Sequence, residues 1–275
     1  MLKLRIITAV CMALAFIAML FALSPVIFSI SIIPVVLMAG WEWCNLVKLV
    51  RITHKVFFLV LVSSCLAIVA VLLDVTGDFD FQLAQTLLII AVGLWAVILL
   101  WIQGYPSSAI LWSSKPVLII LGAALLMFTW VSIVSVLLHA SGQWLLLVGI
   151  LIVVMVDVGG FFVGKSFGRR KLAAVVSPGK TWEGFAGGML FQLVIAGGLL
   201  VVLPDEFSVF QILLIWPVAL FAVIGDLFES MVKRQSGVKD SGSILPGHGG
   251  VLDRIDGIMA AMPIYALLIH SLGII

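Results

Sequence analysis

The chain is dominated by apolar runs that are long enough to cross a lipid bilayer. A transmembrane helix needs about 20 consecutive apolar residues, and stretches of this kind recur from one end of the chain to the other. Apolar residues make up 64% of the 275 residues and charged residues only 10%, too few charges to cover a water-soluble globule. In lipid every backbone polar group must be satisfied internally, which favours helices. The sequence therefore predicts an all-α polytopic integral membrane protein.

Breakers between the apolar runs divide the chain into about nine predicted spans. The first run, from about Ile6 to Ala39, is too long for one helix, and Ser24-Pro25 divides it in two. The other spans are predicted at Val56–Leu73, Leu83–Ile102, Pro116–Leu138, Trp144–Gly164, Phe185–Leu203, Val209–Gly225 and from about Ile258 to Ile275.

The basic residues fall on one side of the membrane when these spans are threaded from a cytoplasmic N-terminus. Short loops rich in Lys and Arg stay in the cytoplasm, and this threading places all 15 basic residues there. The opposite side receives acidic residues, namely Asp74, Asp78, Asp80, Asp205 and Glu206. The prediction is an N-terminus in the cytoplasm and a C-terminus on the opposite side.

Charged and turn-forming residues are unevenly distributed along the chain. Residues 1–140 have short, chemically plain loops and are predicted to form an N-terminal transmembrane scaffold of about five helices. Residues 141–275 are predicted to form a C-terminal catalytic transmembrane region. Two cytoplasmic motifs in that region, 165–184 and 226–256, concentrate Gly, Pro, Ser, Lys, Arg and Asp.

The second of these motifs begins and ends with clustered charges. The residues concerned are Asp226, Glu229, Ser230, Lys233, Arg234, Asp253 and Asp256. A continuing helix places Asp226, Glu229 and Lys233 on one face, and two further acids open the last helix. Carboxylates repel a phosphate unless a divalent cation lies between them, and oxygen ligands favour Mg²⁺. The pattern indicates a metal–phosphate or metal–nucleotide site, and the alternative is a solvated loop whose charges pair casually. The position beside membrane helices favours the site.

The turn Ser177–Gly184 in the first motif has two interpretations. Its Gly179-Lys180-Thr181 resembles the end of a P-loop, but position 174 is Ala and no soluble strand precedes it, which excludes a P-loop ATPase. A phosphate-binding turn built from Ser177, Lys180, Thr181 and Glu183 remains. A basic juxtamembrane turn that binds lipid headgroups remains equally open.

Asp157 is the third point of interest because it lies inside a predicted span, beside two glycines. A lone acid within a membrane is more often functional than not. A secondary transporter that uses Asp157, Asp226 and Asp253 as coupling residues is an alternative to an enzyme.

The remaining polar and aromatic candidates are interpreted as structural. His139 and His270 are isolated in the sequence, and we expect them to pack or to lie at the interface. The nine Trp residues, scattered near span ends, are typical of interfacial anchors. Glu42, between two tryptophans, is expected at the interface as well.

The segment from Gly225 to Asp256 resembles the phosphatidate cytidylyltransferase family, also called CDP-diacylglycerol synthases. The family pattern runs S-x-apolar-K-R, four residues, K-D-x-small, two residues, apolar-P-x-H-G-G-apolar-x-D-R-apolar-D. It is matched by Ser230, Lys233, Arg234, Lys239, Asp240, Pro246, His248, Gly249, Gly250, Asp253, Arg254 and Asp256. The sequence departs from the family around Asp157, where Phe161 stands in place of a tyrosine, which weakens a ligand role for that position.

The resemblance implies condensation of CTP with phosphatidic acid, giving CDP-diacylglycerol and pyrophosphate in phospholipid biosynthesis. It implies a requirement for Mg²⁺, with one cation or a pair held by Asp226 and Asp253. It places the active site at the cytoplasmic face of a bacterial inner membrane, without a nucleic-acid partner, and it is compatible with a homodimer. A CDP-alcohol phosphotransferase is excluded, since Asp256-Gly257 begins that motif but Ala261 replaces its arginine.

With this resemblance, roles can be assigned as expectations. The catalytic residues are expected to be Asp226, Asp253, Lys233, Arg234, Lys239, Arg254 and Asp256. Substrate contacts are expected from Ser177, Lys180, Thr181, Glu183, Glu229, Ser230, Asp240, His248, Gly249, Gly250 and Asp157.

Overall fold

The computed structural model describes residues 2–202, 215–245 and 249–272, and these residues are mainly α-helical. The helices are α1 (Leu2–Ala22), α2 (Pro25–Ser31), α3 (Ile33–Leu46), α4 (Ile52–Leu72), α5 (Phe81–Gly104), α6 (Ala109–Trp112), α7 (Lys115–Leu137), α8 (Gly142–Phe167), α9 (Trp182–Val202), α10 (Ile215–Ser236) and α11 (Leu252–Leu272). Two short strands, β1 (Lys171–Ala173) and β2 (Ser177–Thr181), pair as an antiparallel hairpin that the sequence did not predict. Asp205, Glu206 and the start of the predicted span Val209–Gly225 lie outside the described residues.

Six helical stretches in the described part of the chain are long and apolar enough to cross a membrane. They are Pro25–Leu46, Ile52–Leu72, Phe81–Gly104, Lys115–Leu137, Gly142–Phe167 and Ile215–Ser236. A shorter apolar helix, Ile7–Ala22, precedes them. The all-α membrane class is therefore confirmed, while the number of spans and the sides of the termini stay predictions.

The break in the first apolar run lies where the sequence predicts it. Helix α1 ends at Ala22 and α2 begins at Pro25. The Ser24 hydroxyl accepts the Ile27 N–H at 3.4 Å and so caps α2. Proline is suited to the first helical position because no intrahelical partner awaits its missing N–H.

Two close helix pairs build the region that carries the charged motifs, α8 with α9 and α10 with α11. A Cβ at Gly184 would lie 2.9 Å from the Gly160 carbonyl oxygen and 3.1 Å from the Gly164 Cα. A Cβ at Gly225 in α10 would collide with the Asp256 carbonyl of α11. Small residues thus allow the backbones to approach, as is typical of helix packing in membranes.

Several tryptophans belong to the interior of the helix bundle. Those that are at most 2% exposed are Trp43, Trp95, Trp112 and Trp130. Trp130 of α7, for example, donates its indole N–H to the Ser29 carbonyl of α2 at 2.9 Å. The interfacial interpretation is wrong for these four, because an indole with a bonded N–H packs well inside a bundle.

His139 and His270 are not isolated in the fold. The Nε2 of His139, which follows α7, lies 3.2 Å from the Nδ1 of His270 near the end of α11. The Phe81 ring packs against both imidazoles, with centroids 4.7 and 5.3 Å away. The interpretation as packing residues holds, but the isolation inferred from sequence is wrong because α7 and α11 end side by side.

Candidate active site

A cavity of about 670 Å³ lies among α8, α9, α10 and α11, with β2 at its edge. Its charged lining comprises the acids Asp157, Asp226, Glu229, Asp240, Asp253 and Asp256 and the bases Lys165, Lys180, Lys233 and Arg254. Its apolar lining includes Val156, Phe161, Phe185 and Val223. The volume lies within the range of small-molecule sites. The cavity lining is thus both polar and apolar, and it includes residues of both charged motifs, 165–184 and 226–256, together with Asp157.

Lys233 lies between two carboxylates in this cavity. Its ammonium is 2.5 Å from Glu229 Oε2, one turn away on α10, and 2.7 Å from Asp253 Oδ1 on α11. The side chains of Glu229, Lys233 and Asp253 are 0%, 13% and 7% exposed. The shared helix face predicted for Glu229 and Lys233 is confirmed, and the Lys233–Asp253 pair joins α10 to α11.

Lys180 and Asp226 connect the two charged motifs, 165–184 and 226–256. The Lys180 ammonium, at the end of β2, lies 2.5 Å from Asp226 Oδ2 on α10. The other oxygen, Oδ1, accepts the Ser230 hydroxyl at 3.3 Å. The side chains of Lys180 and Asp226 are 23% and 29% exposed, so both remain accessible to a ligand. The structure thereby places the lysine of the first motif inside the cavity, which favours the phosphate-binding interpretation of its turn.

Asp253 accepts hydrogen bonds from backbone N–H groups of the segment between α10 and α11. Its Oδ2 accepts the N–H groups of Ser241 at 3.1 Å and Gly250 at 2.8 Å. Gly249 beside them has φ +83°, a left-handed conformation that glycine adopts without strain. Gly250 was expected to contact substrate, but in this structure its N–H donates to Asp253.

Part of the Ser177–Gly184 turn serves the fold. Thr181 is buried, and its hydroxyl accepts the Gly184 N–H at 3.1 Å, which caps α9. The Glu183 carboxylate accepts the backbone N–H of Arg169 at 3.0 Å and of Arg170 at 3.1 Å, and these bonds lower the pKa of Glu183. Glu183 lines a separate depression with Arg170 and Trp182, so it holds the preceding loop and does not face the cavity. Ser177 pairs with Ala173 within the hairpin.

Two basic residues that were predicted to be catalytic, Arg234 and Lys239, are not part of the cavity lining. The Arg234 Nε donates to the Val176 carbonyl at 3.2 Å and thereby ties α10 to the hairpin. Lys239 is exposed on the loop that follows α10. His248, with Pro246 and Gly247, lies outside the described residues.

The residues of the cavity fit a hard cation that is bound together with a phosphate. In residues 2–202, 215–245 and 249–272, no group of three or more His, Cys, Asp or Glu side chains is arranged to hold a metal by itself. Mg²⁺ commonly needs only one or two carboxylates, because water and substrate phosphates complete its shell. Asp226 suits this requirement, since it is partly exposed in the cavity. The carboxylate oxygens of Asp253 already accept backbone N–H groups, so a cation bound there would share these oxygens with those donors.

Two residues near the site had no role in the sequence interpretation of catalysis. Lys165 of α8 lines the cavity, with its ammonium 5.6 Å from the centre of the Phe161 ring. Glu42 of α3 is 1% exposed, so its expected interfacial position is wrong. The sequence could have indicated a role for Glu42, because it is a single acid at the end of a long apolar run. Membrane proteins rarely keep such an acid without a function.

The fold and the cavity define a polytopic helical membrane protein with a charged, ligand-sized site where the Lys- and Arg-rich segments meet the helix ends. Residues 3–272 match the cytidylyltransferase family. The phosphatidate cytidylyltransferase of Haemophilus influenzae is 38% identical over 283 residues, covering 97% of this chain and 98% of the relative. That of Pseudomonas aeruginosa is 38% identical over 280 residues, covering 99% and 98%. That of Bacillus subtilis is 50% identical over 115 residues, covering 41% and 42%.

The chain belongs to the cytidylyltransferase family and is therefore an enzyme of the nucleotidyltransferase class.

Proposed function

We propose that the protein is a phosphatidate cytidylyltransferase, which transfers CMP from CTP to phosphatidic acid and releases pyrophosphate. The observation that carries the proposal is the mixed lining of one cavity. Its charged residues, among them Lys180 and Lys233, suit phosphates, while its apolar residues, among them Phe161 and Phe185, suit acyl chains. Such a site can receive a soluble nucleotide and a lipid side by side.

The reaction is a substitution at phosphorus. A phosphate oxygen of phosphatidic acid attacks the α-phosphorus of CTP and forms a new P–O bond. The bond from that phosphorus to the oxygen bridging the α- and β-phosphates breaks, and pyrophosphate departs with the electron pair. The attacking phosphate is already anionic near neutral pH, so no strong general base is needed. Catalysis then rests on positioning and on neutralising charge.

The bases of the cavity supply this neutralisation in the proposal. Lys165, Lys180, Lys233 and Arg254 all line it. Glu229 and Asp253 orient the Lys233 ammonium through the ion pairs. Positive charge placed before the reaction starts costs no reorganisation when negative charge develops on the leaving group.

The acids of the cavity supply the cation site in the proposal. Asp226 and Asp253 would hold Mg²⁺, with Asp256 and Asp157 nearby. When bound, the cation would neutralise charge between the two phosphate substrates and orient them. Carboxylates in a phosphate-binding cavity are otherwise unfavourable, which supports this assignment.

The proposal includes an orientation in the membrane. We place the N-terminus in the cytoplasm, about nine spans across a bacterial inner membrane and the C-terminus on the opposite side. Residues 1–140 then act as scaffold and 141–275 as the catalytic region. The support is that the cavity collects bases from segments assigned to the cytoplasm, where CTP is found.

The direct test incubates the purified protein with phosphatidic acid vesicles, Mg²⁺ and CTP labelled at the α-phosphate. We expect label in the lipid fraction, release of pyrophosphate, and loss of both when EDTA is added. Absence of labelled lipid, together with solute movement across liposomes that contain the protein, would identify a transporter and overturn the proposal.

A further inference from the structure

A carboxylate from the N-terminal half of the chain contacts the start of α11 and a residue of the segment that precedes it. Glu42, on α3, is 1% exposed. Its Oε2 accepts the Leu252 N–H at 2.7 Å and the Ser241 hydroxyl at 3.3 Å. Leu252 is separated from Glu42 by 210 residues and begins α11. A carboxylate buried this deeply is costly unless its contacts serve the molecule.

The contact with Leu252 satisfies a need of α11. The first N–H groups of a helix have no partner inside the helix, and the positive end of the helix dipole favours a negative charge there. Asp253 already receives the Gly250 N–H, which leaves the Leu252 N–H for another acceptor. Glu42 therefore caps α11 from a different helix.

The loop is shaped to receive the Glu42 carboxylate. A Cβ added at either Gly242 or Gly250 would collide with that carboxylate. A second contact ties the same regions together, since the Ser236 hydroxyl at the end of α10 donates to the Leu46 carbonyl at the end of α3 at 2.5 Å. The end of α3 thus contacts the chain at the end of α10, at residues 241–242 and at residues 250–252.

Ser241 links Glu42 to the charged cavity. Its hydroxyl donates to Glu42, while its backbone N–H donates to Asp253. Asp253 in turn pairs with Lys233, and both line the cavity. Glu42 is not among the residues that line the cavity, so any influence on a ligand passes through Ser241 and α11.

We infer that Glu42 is a positioning residue, which fixes the loop residues Ser241, Gly242 and Gly250 and the start of α11 so that Asp253 and Lys233 hold their places at the substrates. Its effect on turnover rests on the proposed function, whereas its effect on the loop does not. Both can be measured on the same preparations.

The test compares Glu42→Met, which keeps the approximate side-chain length but has no strong acceptor, with Glu42→Gln, which retains one carbonyl acceptor. Hydrogen exchange of the full-length protein in detergent reports on the loop amides. We expect Glu42→Met to speed exchange of the Ser241, Gly250 and Leu252 amides by about tenfold or more. Glu42→Gln should show a smaller increase.

The second readout is steady-state transfer of label from CTP to lipid. We expect Glu42→Met to lower kcat by about tenfold or more and to change KM for CTP less, because the substrates still bind but the phosphate-contacting groups are misplaced. Glu42→Gln should recover part of kcat. The matched control is Trp43→Phe on the same helix, which loses the indole bond to the Leu118 carbonyl and should change neither readout.

The inference is overturned if Glu42→Met lowers thermal stability alone, with loop exchange and kcat of the folded fraction unchanged. Faster loop exchange in variants of a parent protein that transfers no label would uphold the positioning role and overturn the proposed function. If Glu42→Met does not fold, Gly242→Ala displaces the same carboxylate from the loop side and must reproduce the faster exchange and lower kcat. An unaltered Gly242→Ala variant would contradict the inference.

Discussion

The charged residues of the cavity differ in how much they contribute to stability, because some of their ion pairs are buried and others are partly exposed. Lys233 compensates two carboxylates that are nearly inaccessible to solvent, Glu229 and Asp253. Lys180 and Asp226 are about a quarter exposed, so solvent screens their attraction and the pair adds little stability. Lys233 is therefore expected to matter for stability as well as for chemistry, and Asp226 mainly for chemistry.

Lys233→Met is expected to lower the free energy of unfolding by about 3–5 kcal/mol, because it leaves two buried carboxylates without their cation. Thermal denaturation in detergent, followed by the fraction that stays monodisperse, measures the change. The double variant Glu229→Gln with Lys233→Met should recover part of the loss. Lys239→Met, at an exposed loop position, is the control, and an equal loss there would contradict the argument.

Asp226→Asn is expected to reduce label transfer by about 100-fold or more while the denaturation temperature stays close to that of the parent. The amide keeps the size of the side chain but removes the charge that would hold a cation. Asp78→Asn, in a turn at the end predicted to face outside, is the matched control. Near-normal label transfer by Asp226→Asn would show that Asp226 does not hold the cation.

At the scale of helices, the site depends on the close approach of α8 and α9. Asp157, Phe161 and Lys165 reach the cavity from α8. Lys180 and Thr181 reach it from the end of β2, and Gly184 from the start of α9. Glycines on both helices allow this approach. A side chain inserted at the contact would separate the two walls of the cavity.

Gly188→Ala is expected to be destabilising by about 1–3 kcal/mol, because its Cβ would lie 2.6 Å from the Val156 carbonyl oxygen and overpack the contact. Gly197→Ala on the same helix meets nothing within 4 Å and should be neutral or slightly stabilising. Denaturation temperatures of the two variants in one detergent measure the contrast. Equal temperatures would show that α8 and α9 do not require glycine at this contact.

At the scale of the whole molecule, the distribution of charge predicts the orientation of the chain in the bilayer. The charged cavity collects residues from segments rich in Lys and Arg. Asp74, Asp78 and Asp80 lie in the turn between α4 and α5. The positive-inside rule predicts that these two regions face opposite sides of the membrane.

Labelling of single cysteines in intact cells tests this orientation. With Cys11, Cys44 and Cys65 replaced by alanine, Asp78→Cys should react with a membrane-impermeant thiol reagent. Lys171→Cys, at the exposed start of β1, should react only after the membrane is permeabilised. The reverse labelling pattern would show that the proposed orientation is wrong and that the cavity does not face cytosolic CTP.

Local patterns in the sequence were sufficient for the class of protein and for part of the site. The apolar runs predicted the helical membrane class, and Ser24-Pro25 predicted the break between α1 and α2. The spacing of Glu229 and Lys233 predicted their shared helix face. Each of these features depends on residues within one or two helical turns, where geometry follows directly from the chain.

Only the tertiary structure decided which distant residues meet. It paired Lys180 with Asp226, turned Glu183 away from the cavity, and brought Glu42 under the loop before α11. These contacts join helices whose approach is set by small residues and by the packing of all their neighbours, information that no single segment carries. The sequence by itself thus determined that the protein is helical and surrounded by lipid, and that its site is charged. The packing of the helices determined which residues assemble that site.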